Sequence, residues 1–138
     1  MKSKWLKIYL ITTFWITFTS CSSDHIGPDN KNTAQCLADT LSIVSFSRHI
    51  QPIFTTHCAT SGCHSGTNPK ANLNLEEGKA YTSLMRPGWG YVDTLDPAGS
   101  LLYSAMTSTT NPMPPSGRLS NCDTKLVLKW IEQKAKNN

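Results

Sequence analysis

The sequence lacks the patterns that mark several large functional classes. Its basic residues form no stripe with interleaved aromatic residues, which argues against binding to nucleic acid. It has no glycine-rich phosphate loop, and its Ser, His and Asp residues form no recognisable nucleophile elbow, so a dedicated catalytic site is poorly supported. It also has no convincing pair of strands and no internal repeat. The lack of strand signals, together with the helical apolar pattern described below, predicts a small all-α domain.

Net charge is low once the N-terminal segment is set aside. The whole chain has 13 Lys and Arg residues against 9 Asp and Glu residues. Residues 1–20 contain three lysines and no acidic residue, so the remainder has a net charge of 10 − 9 = +1. A surface this close to neutral gives no strong electrostatic indication of a partner protein.

The N-terminus has the layout of a bacterial lipoprotein signal. Three lysines precede a short apolar run at residues 8–18, and small residues then lead to Cys21. We therefore predict a signal peptide over residues 1–20, lipidation at Cys21 and a tether over residues 21–41. The mature protein would be exported and held by lipid on the periplasmic side, at the outer membrane. A plain signal peptide and an uncleaved anchor helix are the alternatives.

Apolar periodicity predicts four helices in the remaining domain, residues 42–138. Their predicted starts are Pro52 in the first turn of helix one, Asn74 with Glu77, Asp96 with Pro97, and Ser120 with Asp123. Their predicted buried faces are Phe46, Ile50, Ile53, Phe54 and His57; Ala80, Tyr81, Leu84 and Met85; Leu101, Leu102 and Ala105; and Val127, Trp130 and Ile131.

Cys58, Cys63 and His64 form the most informative motif. Two cysteines followed at once by a histidine are typical of a covalent haem c site, here with four residues between the cysteines instead of two. Each thiol can add to one haem vinyl group to give a thioether, and the adjacent imidazole can then bind the iron. A disulfide between Cys58 and Cys63, or a zinc site completed by a residue such as His57, would use the same residues.

Met113 is the best candidate for a second iron ligand. It lies in a segment with three prolines, which holds the thioether on stiff, extended backbone. The other candidates are less suitable: Met106 is expected in a helix, as core packing or a haem contact, Met85 in the core, His25 in the tether and His49 on the surface of the first helix.

The remaining two cysteines, Cys36 and Cys122, can pair. An oxidising periplasm permits this disulfide, which would tie the end of the tether to the last helix. It would stabilise the fold by roughly 4 kcal/mol on the chain-entropy model. Two unpaired thiols are the alternative.

The order of these features resembles that of small class I-type cytochrome c domains in bacterial, Bacteroidetes-like lipoproteins. The resemblance covers residues 45–135 and rests on the segment before Cys58, the haem motif, Asp96-Pro97, Met113-Pro114-Pro115 and the last helix. It implies thioethers at Cys58 and Cys63, His64 and Met113 as the iron ligands, and crossing first and last helices with Phe54 near Trp130. The four-residue gap between the cysteines departs from the common pattern.

The expected function is therefore one-electron transfer through a single haem, with an unidentified redox protein as partner. Iron bound by both His64 and Met113 has no open position for a substrate, so the protein is expected to be an electron carrier rather than an enzyme. A loop containing Arg86, Trp89 and Tyr91 either covers the haem propionates or packs as ordinary structure. The alternatives are a five-coordinate haem sensor or weak peroxidase, and a haem-free, disulfide-stapled surface lipoprotein.

Overall fold

Residues 36–138 are described by a computed structural model of the chain. The predicted signal peptide, the lipidation at Cys21 and the tether as far as residue 35 lie outside the described residues. Within residues 36–138, no helix is both long enough and apolar enough to cross a membrane.

Helices and loops make up the whole of the described domain, which has no strand among residues 36–138 and thus confirms the all-α prediction for this part. The α-helices are α1 (Leu37–Thr40), α2 (Gln51–His57), α3 (Ala80–Leu84), α4 (Leu101–Thr107) and α5 (Asn121–Glu132). A π-helical turn, Phe46–Ile50, leads directly into α2, and single 3-10 turns occupy Lys70–Asn72 and Pro97–Gly99.

Helix α5 begins where its capping residue predicts. The Ser120 hydroxyl accepts a hydrogen bond from the Asp123 backbone N–H (3.1 Å) and donates one to the Asp123 carboxylate (2.7 Å). The first of these bonds satisfies an N–H group that a helix end otherwise leaves unpaired. The predicted stripe of Val127, Trp130 and Ile131 is fully buried, and α5 is therefore the main support of the core.

The first helical segment also follows its prediction, apart from its last residue. Its four apolar residues, Phe46, Ile50, Ile53 and Phe54, are buried, whereas His57 is exposed. Pro52 lies in the first turn of α2, where a missing N–H costs no internal hydrogen bond.

Phe46 joins the first helical segment to α5. Its ring centroid lies 5.2 Å from that of Trp130, 5.3 Å from that of Tyr81 and 6.3 Å from that of Phe54. The resemblance implied that Phe54 lies near Trp130, and Phe46 is the ring that contacts both. Aromatic pairs at these distances add to the stability that burial supplies.

The second predicted helix starts later than its sequence suggests. Asn74 does not cap a helix, because its side-chain oxygen accepts the nearby Glu76 N–H (2.9 Å) in a tight turn. Gly78 has a φ of +78°, which lies outside the right-handed helical region. Helix α3 can therefore form only beyond this glycine, and it begins at Ala80.

The third predicted helix is divided in two. Asp96 accepts the Gly99 N–H (3.1 Å) and so caps the short 3-10 turn instead of a long helix, and α4 then begins at Leu101. Leu102 is buried as predicted, but the Leu101 side chain is 54% exposed.

Cys36 and Cys122 form a disulfide that fixes α1 against α5, with their Cα atoms 5.2 Å apart. The Lys129 ammonium group on α5 donates to the carbonyl oxygens of Ala38 and Leu41, both at 2.7 Å. Residues 36–41, predicted as the end of the tether, are thus packed against the helical domain.

Candidate cofactor site

One cavity brings together the side chains that the sequence predicts as the haem site. Its volume is about 460 Å³, within the range of small-molecule and cofactor pockets. Cys58, Cys63, His64 and Met113 all line it. Most of the remaining wall is apolar, made up of Ala71, Leu73, Leu75, Tyr91, Leu101, Leu102, Ala105, Met106, Pro114 and Pro115.

The two thiols come from a loop that folds back on the end of α2. The Cys58 N–H donates to Phe54 O (2.9 Å), and the His64 N–H donates to Cys58 O (3.1 Å). Within the loop, Gly62 has a φ of +78°, a conformation that glycine adopts without steric cost. The loop thus accommodates the two additional residues while both cysteines remain on the cavity wall.

Cys58 and Cys63 are free thiols in the structure, so the alternative of a disulfide between them is not realised. Burial, with a smaller contribution from the neighbouring Cys63, raises the pKa of the Cys58 thiol to about 11. Since the thiolate is the nucleophile and the usual metal ligand, a thiol that stays protonated at neutral pH does not resemble an activated catalytic cysteine.

His64 is held in one tautomer by the loop that follows it. Its Nδ1 atom lies 3.1 Å from the carbonyl oxygens of both Lys70 and Leu73. Because a carbonyl oxygen can only accept a hydrogen bond, Nδ1 must carry the proton. In the neutral imidazole the lone pair is then on Nε2, the atom that can bind a metal ion.

Met113 reaches the cavity from the proline-rich segment between α4 and α5. Its backbone N–H donates to Ala105 O on α4 (2.9 Å), and its side chain is 39% exposed. Met106, buried on α4, lines the same cavity, whereas Met85 is not among the lining residues.

The other candidate ligands are placed elsewhere or already occupied. The Nδ1 atom of His49 accepts a hydrogen bond from the Ser45 N–H (2.9 Å), and His25 lies outside the described residues. His57 is exposed at the edge of the cavity. Across residues 36–138, no group of three or more His, Cys, Asp or Glu side chains is arranged to hold a metal ion, so the zinc alternative has no assembled ligand set there.

Sequence reasoning did not identify the role of Tyr91. Its hydroxyl donates to Ala71 O, and its ring stacks on Trp89 with centroids 5.7 Å apart. The Arg86 guanidinium lies 5.0 Å from the centre of the Trp89 ring. The aromatic loop was predicted, but the link from Tyr91 to the backbone beside His64 has no signature in the sequence.

Comparisons with protein-family models, with curated proteins and with solved structures gave no match. The interpretation of the cavity therefore depends on its lining residues and their hydrogen bonds.

Proposed function

We propose that residues 42–138 form a mono-haem c-type cytochrome domain that transfers single electrons. The observation that carries this proposal is the shared cavity of Cys58, Cys63, His64 and Met113, in which Met113 comes from a segment remote from the motif. The motif alone requires only that the first three residues be neighbours. The hypothesis separately required that the Met113 thioether, as a second iron ligand, line the same cavity.

The residues present fit a covalently attached haem. Cys58 and Cys63 would supply the two thioether links, and His64 would offer Nε2 to the iron because its Nδ1–H is already bonded. Met113 would supply a second ligand to the iron, and the apolar walls would exclude water. When bound, an iron with His and Met ligands exchanges one electron and has no free position for substrate.

The proposed setting is the periplasmic side of a bacterial membrane, with a lipid at Cys21 and the tether preceding the domain. Signal, lipid and tether rest on the sequence of residues 1–41. The proposed partner is a redox protein, because a carrier of this kind must receive and deliver electrons. The near-neutral charge outside residues 1–20 argues against nucleic acid as a partner.

A haem stain on a denaturing gel, with intact mass, tests the proposal on protein made in a host that attaches haem c. The wild-type band should stain and carry the mass of one haem, and Cys58→Ala with Cys63→Ala should lose both signals. The matched control is Cys36→Ala with Cys122→Ala, which removes two cysteines away from the cavity and should keep the haem. A wild-type chain without haem mass would refute the proposal and favour the haem-free surface lipoprotein.

The 39% exposure of Met113 favours a second candidate, a five-coordinate haem protein that senses a ligand or acts as a weak peroxidase. Carbon monoxide binding to the reduced protein separates the two. With Met113 bound, the wild type should bind carbon monoxide slowly and Met113→Ala should bind it at once. Met85→Ala, which leaves the cavity wall unchanged, should behave like wild type. Equally fast binding by all three proteins would favour the sensor.

A further inference from the structure

The loop that holds His64 is itself held by side chains. Four consecutive backbone carbonyl groups, those of residues 70–73, each accept a hydrogen bond from a side chain. His64 Nδ1 reaches the first and the last, at 3.1 Å each. The Tyr91 hydroxyl donates to the second, and Arg86 Nη1 makes a longer contact of 3.4 Å to the third. The two carbonyl groups that orient His64 therefore flank the two that Tyr91 and Arg86 hold.

The backbone of this loop is in a conformation that needs such support. Ala71 has a φ of 54° and Asn72 a φ of 52°. Both values lie in the left-handed region, which residues other than glycine seldom adopt. Strain of this kind persists only where surrounding contacts over-determine the backbone. The bond from the Tyr91 hydroxyl falls on Ala71 itself.

Tyr91 is well placed to supply that support because its own position is fixed. Its side chain is buried, and its carbonyl oxygen accepts the N–H of Leu102 in α4 (3.0 Å). The preceding Gly90 carbonyl accepts the N–H of Leu101 (3.1 Å). The hydroxyl thus connects the start of α4 to the loop that orients His64.

We propose that Tyr91 is a positioning residue for His64. By holding Ala71 in its left-handed conformation, it keeps the Lys70 and Leu73 carbonyl groups on His64 Nδ1. The inference about the Nδ1 hydrogen bonds concerns this chain alone, whereas its consequence for an iron rests on the proposed function. A hydrogen bond from the far nitrogen of a ligating histidine raises the basicity of the ligand. A more basic ligand favours oxidised iron, so losing these bonds should shift the reduction potential to a more positive value.

Tyr91→Phe tests this, since it removes the hydroxyl and keeps the ring. The control is Tyr81→Phe, which also removes a hydroxyl bonded to a backbone carbonyl, that of Ala135 (3.0 Å), but not at a residue lining the cavity. NMR measures solvent exchange of the His64 Nδ1–H proton in the protein as isolated. Exchange should rise about tenfold in Tyr91→Phe and remain at the wild-type rate in Tyr81→Phe. In haem-loaded protein, only Tyr91→Phe should shift the potential, towards positive values.

Two results would overturn the inference: an exchange rate in Tyr91→Phe equal to that in Tyr81→Phe, or an equal potential in the two haem-loaded variants. Failure of the proposed function would look different, because it would appear as a missing haem mass in the wild type. In that case the exchange measurement still decides whether Tyr91 positions His64.

Discussion

The aromatic core and the candidate cofactor cavity are built by different kinds of interaction. Around Phe46, Tyr81 and Trp130, ring centroids lie 5.2 to 6.5 Å apart and helical segments supply the side chains. On the cavity side, loops supply most of the chemical groups, and their backbone is fixed by hydrogen bonds from the side chains of His64 and Tyr91. The core is held by apolar burial, which depends on area and not on direction. The cavity wall is held by hydrogen bonds, and their strength depends on the direction in which donor and acceptor face each other.

This difference suggests how stability and function are separated in the molecule. A change in the core should affect the free energy of unfolding and leave the orientation of His64 unchanged. A change in the loops should alter the orientation of His64 and cost less free energy of unfolding than a change in the core. Three measurements address the comparison, in order of decreasing expected effect.

Trp130→Ala should have the largest effect, because the side chain is completely buried and contacts other aromatic rings. We expect the free energy of unfolding to fall by about 3–5 kcal/mol, measured by urea denaturation followed by circular dichroism. Trp89→Ala is the matched control, since Trp89 is 41% exposed and stacks on one ring. Its expected cost is about 1 kcal/mol. Equal losses in both variants would contradict the division between core and cavity.

Cys58 should react slowly with iodoacetamide in protein made without haem. A pKa of about 11 leaves little thiolate below pH 9, although the thiolate that does form is more nucleophilic. The net expectation is a rate about tenfold below that of a cysteine in a short peptide at pH 8. The rate should keep rising up to a pH of about 11, measured by peptide mass mapping. A rate that levels off near pH 9 would show that the thiol is not buried as described.

Ser120→Ala should have the smallest of the three effects. It removes the oxygen that caps α5 and should lower the free energy of unfolding by about 1 kcal/mol in the same urea experiment. Ser104→Ala is the control, because Ser104 is an exposed position within α4, where alanine favours the helix. Neither variant should change the reduction potential of the haem-loaded protein or the rate of solvent exchange of the His64 Nδ1–H proton.

The sequence predicted the core side of the molecule better than the cavity side. Helix α5 was predictable because its cap and its buried stripe are both local patterns. The start of α3 was not, since Asn74 can cap a helix or close a turn, and only the left-handed Gly78 decides between them. Local patterns were therefore sufficient for α5, whose cap and buried stripe agree.

Within the cavity, the sequence indicated which residues carry the chemistry but not what orients them. Cys58, Cys63, His64 and Met113 could be named from spacing and residue type, and the structure places all four around one cavity. The Tyr91 bond to Ala71 joins residues twenty positions apart through a backbone oxygen. No residue-type pattern marks a backbone acceptor, so this contact could not be predicted.

The disulfide between Cys36 and Cys122 also determines how the domain would respond to mechanical force. Residues 1–35 join the described domain at Cys36, which is covalently bonded to α5 as well as to the start of α1. A pull on the N-terminal segment would thus be shared with the longest helix. The chain from α1 to the loop of Cys58 and His64 would then be shielded from the load, so force on the N-terminal segment should leave the geometry of these two residues unchanged.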